Sequence, residues 1–201
     1  MRLQEIKERI KADFGESADL TFCSAEAGGK EAMYVLFDGL CDKELLENNV
    51  MRPLSLLKGA LTKRNFHEKV FTTAPVFITN DLSEAEKRIA EGATALFIEG
   101  TKDFYLFSVK KYERRSVSEP PTSSVLKGPR EGFTEDVTVN AALLRRRLKD
   151  KSLVIEEKTI GKYSGTKVYV CYLSTVAAKK TVDLVNERLS HIEIDGVIDS
   201  S

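Results

Sequence analysis

Between Arg114 and Asp150 the chain changes character twice, and any fold it adopts must accommodate that change. The first part, to Gly132, holds three of the five prolines (Pro120, Pro121 and Pro129), together with Gly128, Gly132 and alternating charges. Proline fixes φ and pushes its predecessor toward extended backbone, so this part reads as an extended, hinge-like connection. From Thr134 the pattern becomes helical, with Val137, Ala141, Leu144 and Leu148 on one stripe. Glu135 and Asp136 sit at the positive end of that helix. Arg145, Arg146, Arg147 and Lys149 sit at its negative end, so both ends suit the macrodipole. The stretch predicts an N-terminal unit over residues 1–113, a linker over 114–133 and a C-terminal unit over 134–201.

The flanking sequence is patterned accordingly. Leu3, Ile6, Ile10 and Phe14 recur at helical steps, and Gly15 ends that helix. Asp19–Ser24 and Glu31–Phe37 read as antiparallel strands around Gly28-Gly29. Asp42 is placed to cap a helix with Leu45, Leu46 and Val50 inward, and Pro53 to start another through Leu61. Val70-Phe71 and Val76–Ile78 fit short strands around Pro75. Ser83 to Glu86 has capping-box spacing ahead of Ala85, Ile89 and the terminating Gly92. Strands are expected at Thr94–Glu99 and Phe104–Tyr112, and again at Leu153–Ile160 and Lys167–Leu173. A last helix carries Ala178, Val182, Val185, Leu189 and Ile192, with Ser174 or Thr175 as its cap. The fold class expected is α+β: two subdomains, each a small mixed or antiparallel sheet covered by helices.

Composition excludes several functions. Lysine plus arginine and aspartate plus glutamate both number 31, so no overall field draws the chain to nucleic acid. No apolar run reaches the ~18 residues that span a bilayer. Cys23, Cys41 and Cys171 are too scattered for a disulfide framework or a metal site, and a reducing compartment is expected. The two histidines, His67 and His191, stand in no nucleophile motif, so neither an enzyme nor a bound cofactor is expected. Gly128 to Phe133 lacks the ending of a phosphate loop and reads as a stiff connection, with Phe133 stapling the next helix. The three arginines read first as structural, pairing with acids such as Glu119 or Glu135 across the subdomain boundary; a partner subunit is the second reading, nucleic acid the third.

Arg115, Glu119-Pro120, Gly128-Pro129-Arg130, Gly132-Phe133, Glu135, Asn140 and Leu144 to Arg147 together resemble the central signature of the GerA family, the A subunits of bacterial spore germinant receptors. The similarity runs from about Leu82 to the final IDGVIDSS, with Ser124 and Lys127 where an acid and an arginine are expected. The resemblance implies the soluble N-terminal domain of such a subunit, with membrane-spanning helices beyond it. Its implied place is the spore inner membrane, this domain on the cytoplasmic side. It implies a role in receptor assembly and transmission of the nutrient signal, with B and C subunits as partners and self-association of A subunits in view. The alternative is direct binding of a small germinant between the subdomains. On either account Arg115, Glu119, Pro120, Arg130, Phe133, Glu135, Asn140, Arg145, Arg146 and Arg147 are the candidate interface residues.

Overall fold

A computed structural model of the chain describes residues 1–56, 76–109 and 132–197. Helix α1 (Leu3–Asp13) buries Ile6 and Ile10, with Phe14 completing the stripe. Its first N–H groups lack intrahelical partners, and Glu99 Oε2 accepts from Leu3 N–H at 2.9 Å. Gly15 and Glu16, at φ of 62° and 54°, then turn the chain back. Strands β1 (Leu20–Ala27) and β2 (Lys30–Phe37) pair from Leu20 opposite Phe37 to Ala27 opposite Lys30. Gly28 and Gly29 both take positive φ, the requirement of a tight two-residue hairpin.

A broken helix follows: α2 (Lys43–Leu46), a π turn (Glu47–Met51) and α3 (Arg52–Ser55). Strand β3 (Val76–Thr79), helix α4 (Leu82–Ala90) and strands β4 (Thr94–Ile98) and β5 (Phe104–Phe107) complete the first lobe. The sheet is antiparallel, in the order β1-β2-β4-β5-β3. Helices cover both faces, which is why β2 is buried without alternation from Ala32 to Phe37. On one face Ile10, Phe14 and Ile89 pack against Phe37 and Phe97. On the other, Leu46, Val50 and Leu54 pack against Tyr34, Leu96 and Phe107.

The second lobe comprises α5 (Val137–Arg147), the hairpin β6 (Leu153–Ile160) and β7 (Thr166–Leu173), and α6 (Lys179–Ser190). Leu153, Val154 and Ile155 are buried, whereas from Glu156 onward β6 alternates. Helix α6 buries none of its residues. The architecture is thus two-lobed α+β, antiparallel sheets flanked by helices, as the sequence pattern implies.

Several local expectations are corrected. Helix α5 buries Ala141, Ala142, Leu143 and Arg145, while Leu144 is half-buried and Leu148 is 40% exposed. The helix is rotated because an arginine occupies its inner face. Asp81, not Ser83, caps α4: its carboxylate accepts from Ser83 N–H at 2.9 Å, and Glu86 turns into the core instead of closing a capping box. Leu45 faces out. Helix α6 starts after Ala178, with Ser174 and Thr175 in the preceding turn. Cys171 is exposed. Val70-Phe71 and the ends of the Pro53–Leu61 helix and the Phe104–Tyr112 strand lie outside the described residues.

Candidate functional site

Two sharp approaches bring the lobes together. A Cβ on Gly15 would fall 2.5 Å from Val154 Cγ2, and one on Gly39 (φ 81°) would fall 2.9 Å from the Ala142 Cβ. Between these contacts lies a buried polar node. Arg145, 1% exposed, donates from Nε to Asp19 Oδ2 at 2.8 Å and from Nη2 to Asp19 Oδ1 at 3.0 Å. Its Nη2 also donates to Ser17 Oγ at 2.8 Å, and its guanidinium lies 4.2 Å from the Phe37 ring centre. This two-point fork with a stacked face is something lysine cannot reproduce. Ser17 Oγ donates to Asp19 Oδ1 at 2.7 Å and accepts from Ile155 N–H at 2.8 Å. Ala18 N–H donates to Ile155 O at 2.8 Å, and Asp38 N–H to Asp19 O at 2.9 Å. The node therefore joins the turn after α1, the end of β2, helix α5 and strand β6.

A second ionic cluster lies nearby. Glu86 of α4 is buried, and its Oε2 accepts from Lys151 Nζ at 3.1 Å; the same Nζ lies 3.5 Å from Asp13 Oδ2. Burial pushes the Glu86 carboxyl up, the Lys151 bond pulls it down and the Asp13 carboxylate pushes it up again. The bond to Glu86 in turn raises the Lys151 ammonium.

On the other side of α5 the lobes leave a cleft of about 660 Å³. Asp38, Asp42, Lys43, Glu44, Asp136 and Arg146 contribute its charges. Asp38 Oδ1 pairs with Lys43 Nζ at 2.8 Å and its Oδ2 accepts from Thr21 at 2.8 Å. The Asp136 carboxylate is committed to capping α5, accepting from Thr138 N–H at 2.8 Å. The Cys41 thiol in the wall is pushed up by burial and accepts from Thr94 Oγ1 at 3.3 Å. Among the described residues, no group of three or more histidines, cysteines or carboxylates is placed to hold a metal.

The ten sequence candidates separate. Arg145 is the buried centre of the node, Arg146 is exposed and lines the cleft, and Arg147 is exposed. The partner of Arg145 is Asp19, not Glu135, which is exposed. Asn140 closes the start of α5: its Oδ1 accepts from Thr134 N–H and its Nδ2 donates to Thr134 O, both at 2.7 Å. Phe133 is 70% exposed and staples nothing to the core. Arg115, Glu119, Pro120 and Arg130 lie outside the described residues. Sequence reasoning missed Ser17, Asp19, Glu86 and Lys151, whose partners are distant in the chain.

The described residues form a two-lobed α+β body whose lobes are joined through a buried arginine. The model of the Bacillus/Clostridium GerA spore germination protein family matches residues 8–201, and the chain belongs to that family. The match thus reaches through the first lobe, well before Leu82. Spore germination protein B1 of Bacillus subtilis (strain 168) is 30% identical over 212 residues, covering 98% of this chain and 42% of that protein. Stage V sporulation protein AF of the same organism is 28% identical over 191 residues, covering 93% and 38%. The chain spans about two fifths of the length of these relatives. The N-terminal domain of the A subunit of the Bacillus megaterium spore germinant receptor GerK3 shares the fold. Its TM-score is 0.75 at 22% identity, over 96% of this chain and 72% of that one. Membership places the chain with germination proteins, not with a family of enzymes. No helix among the described residues is long and apolar enough to cross a membrane.

Proposed function

We propose that this chain acts as the N-terminal module of a germinant-receptor A subunit, holding its two lobes in one orientation and passing a change of that orientation to the rest of the receptor. The observation that carries the reading is the Arg145–Asp19–Ser17 node, a desolvated fork bonded to four elements of both lobes. A packed polar junction has discrete arrangements, not a continuum, so it suits a part that switches. On this reading the linker over 114–133 lets the lobes reorient, the full-length protein sits in the spore inner membrane with this domain on the cytoplasmic side, and B and C subunits or further A subunits dock on it. The test is germination of spores carrying Arg145→Lys in the complete receptor. Receptor that accumulates normally with a slowed nutrient response supports the reading, and a normal response with normal accumulation refutes it.

A second reading is favoured by the cleft. Its volume of about 660 Å³ and its mixed charges, with Lys43 and Arg146 lining it beside Asp38, Asp42 and Glu44, suit a small polar germinant bound directly between the lobes. A thermal-shift screen of nutrients against wild type and Arg146→Ala separates the two, since a ligand of the folded state must raise the melting temperature.

A further inference from the structure

The second ionic cluster sits on the same boundary as the arginine node, and its charges do not balance. Glu86 reaches it from α4 and Asp13 from α1, both in the first lobe, whereas Lys151 comes from the turn ahead of β6 in the second. With both carboxylates ionised, two negative charges share one ammonium, at 3.1 Å from Glu86 and 3.5 Å from Asp13. Glu86 is 1% exposed, and its Oε1 is buried with no hydrogen-bond partner among the described residues. An ionised oxygen held out of water with nothing to accept from is costly.

A proton on Glu86 removes both faults. It cancels the surplus charge and turns the carboxyl into a donor. Burial first, and a hydrogen bond with the Asp13 carboxylate after it, raise the Glu86 carboxyl against the pull of Lys151. The neighbouring charges are engaged elsewhere. Arg9 approaches Asp13 from along α1 at 4.0 Å, Arg88 and Glu84 of α4 pair with each other at 3.1 Å, and Asp150 accepts from Ser152 N–H at 2.8 Å. Arg145 of α5 is held by Asp19.

We propose that Glu86, Asp13 and Lys151 form a proton-linked latch between the lobes: Glu86 holds a proton while Lys151 is seated on it, and gives that proton to water when the lobes separate and the carboxyl is hydrated. The proposal rests on the reading of the junction as a part that switches. From pH 4.5 up to the folded pKa the closed form binds more protons than the separated one, so rising pH favours separation. Below 4.5 both forms hold the proton and above the folded pKa neither does, so the latch responds to pH only inside that window.

Two backbone amides report separation directly, because their hydrogen bonds cross the boundary: Ala18 N–H to Ile155 O, and Ile155 N–H to Ser17 Oγ. Their hydrogen exchange, divided by the intrinsic rate at each pH, is measured from pH 4.5 to 7.5 on the full 201-residue chain, with amides of β2 and β4 as the core reference. Both should exchange faster than the reference. Their protection should fall as pH rises from 4.5, by at most tenfold per pH unit for one proton, and then level off. Glu86→Gln, neutral at every pH, should remove this fall. Asp13→Asn, which takes away the second negative charge at a half-exposed position, should shrink it, and carries the test if Glu86→Gln does not fold. The proposal is overturned if wild-type protection does not change with pH, if it falls equally in the variants, or if the bridging amides exchange only together with the core. Each of these results would remove the latch and leave the receptor reading to its own test, germination with Arg145→Lys.

Discussion

Replacing Arg145 with methionine keeps much of the apolar stem and removes the guanidinium. Three donor contacts of 2.8–3.0 Å disappear, two to Asp19 and one to Ser17. Asp19, only 4% exposed, is then left with little more than the Ser17 hydroxyl to support its carboxylate. Removing one partner of a buried ion pair costs about 3–5 kcal/mol, most of it the uncompensated charge left behind. For a chain of this size each kcal/mol shifts the melting temperature by about 2–4 °C, so a fall of roughly 6–20 °C is expected by calorimetry. The asymmetry of the mechanism gives a sharper check. Asp19→Asn combined with Arg145→Met leaves no buried charge, and should be more stable than Arg145→Met alone by about 1–3 kcal/mol. Hydrogen exchange at Ile155 N–H, bonded to Ser17 Oγ, should accelerate in the single variant. A melting temperature within about 3 °C of wild type would refute the reasoning, because desolvation would then cancel the fork's gain.

The other predictions concern the same junction. Glu86 has its folded pKa raised above an ordinary value of 4.5, so above that pH the unfolded chain releases a proton that the folded chain still holds. The contribution is fully present below 4.5 and is lost as pH rises toward the folded pKa. The wild-type melting temperature should therefore fall over this interval relative to Glu86→Gln, and parallel curves would count against it. Leu143→Asp should cost about 4 kcal/mol or more, and Leu144→Asp no more than about half of that, as read by urea unfolding. Gly39→Ala should cost about 1–3 kcal/mol through its left-handed backbone and the collision with Ala142, and Ala142→Gly should recover part of the loss in the same melts.

The parts of the fold legible in the sequence are those that local physics decides. Ile6, Ile10 and Phe14 announce α1 because one face of one helix is enough to read them, and Gly28-Gly29 announces its hairpin because two left-handed residues are needed there. The strand order was not legible: β3 pairs with β5 at the far edge of the sheet, away from β2. Nor was the inward face of α5. Periodicity counts Arg145 as polar and points Leu144 inward, but the fork to Asp19, 126 residues away, reverses the assignment. Glu86 escaped for the same reason, its counter-ion Lys151 lying 65 residues downstream. Of the site, the triple arginine and Asn140 were visible as a motif, whereas the partner that gives Arg145 its meaning belongs to an unremarkable Ser-Ala-Asp turn.

The β6–β7 hairpin behaves mechanically as a cantilever. Its root, Leu153 to Ile155, is set in the junction, and from Glu156 its residues alternate toward solvent until Ile160, which is buried again. At its tip, Lys162 and Tyr163 N–H donate to Ile194 and Asp195 carbonyls at 2.9 and 2.8 Å, and Thr166 Oγ1 donates to Val197 O at 2.8 Å. An eight-residue strand is about 25 Å long, so a rotation on the order of 10° at the root sweeps the tip through about 4 Å. The same beam would work in reverse: a pull on Ile194 to Val197 would enter at the tip and arrive, reduced in amplitude and increased in force, at the Ile155 amide on Ser17.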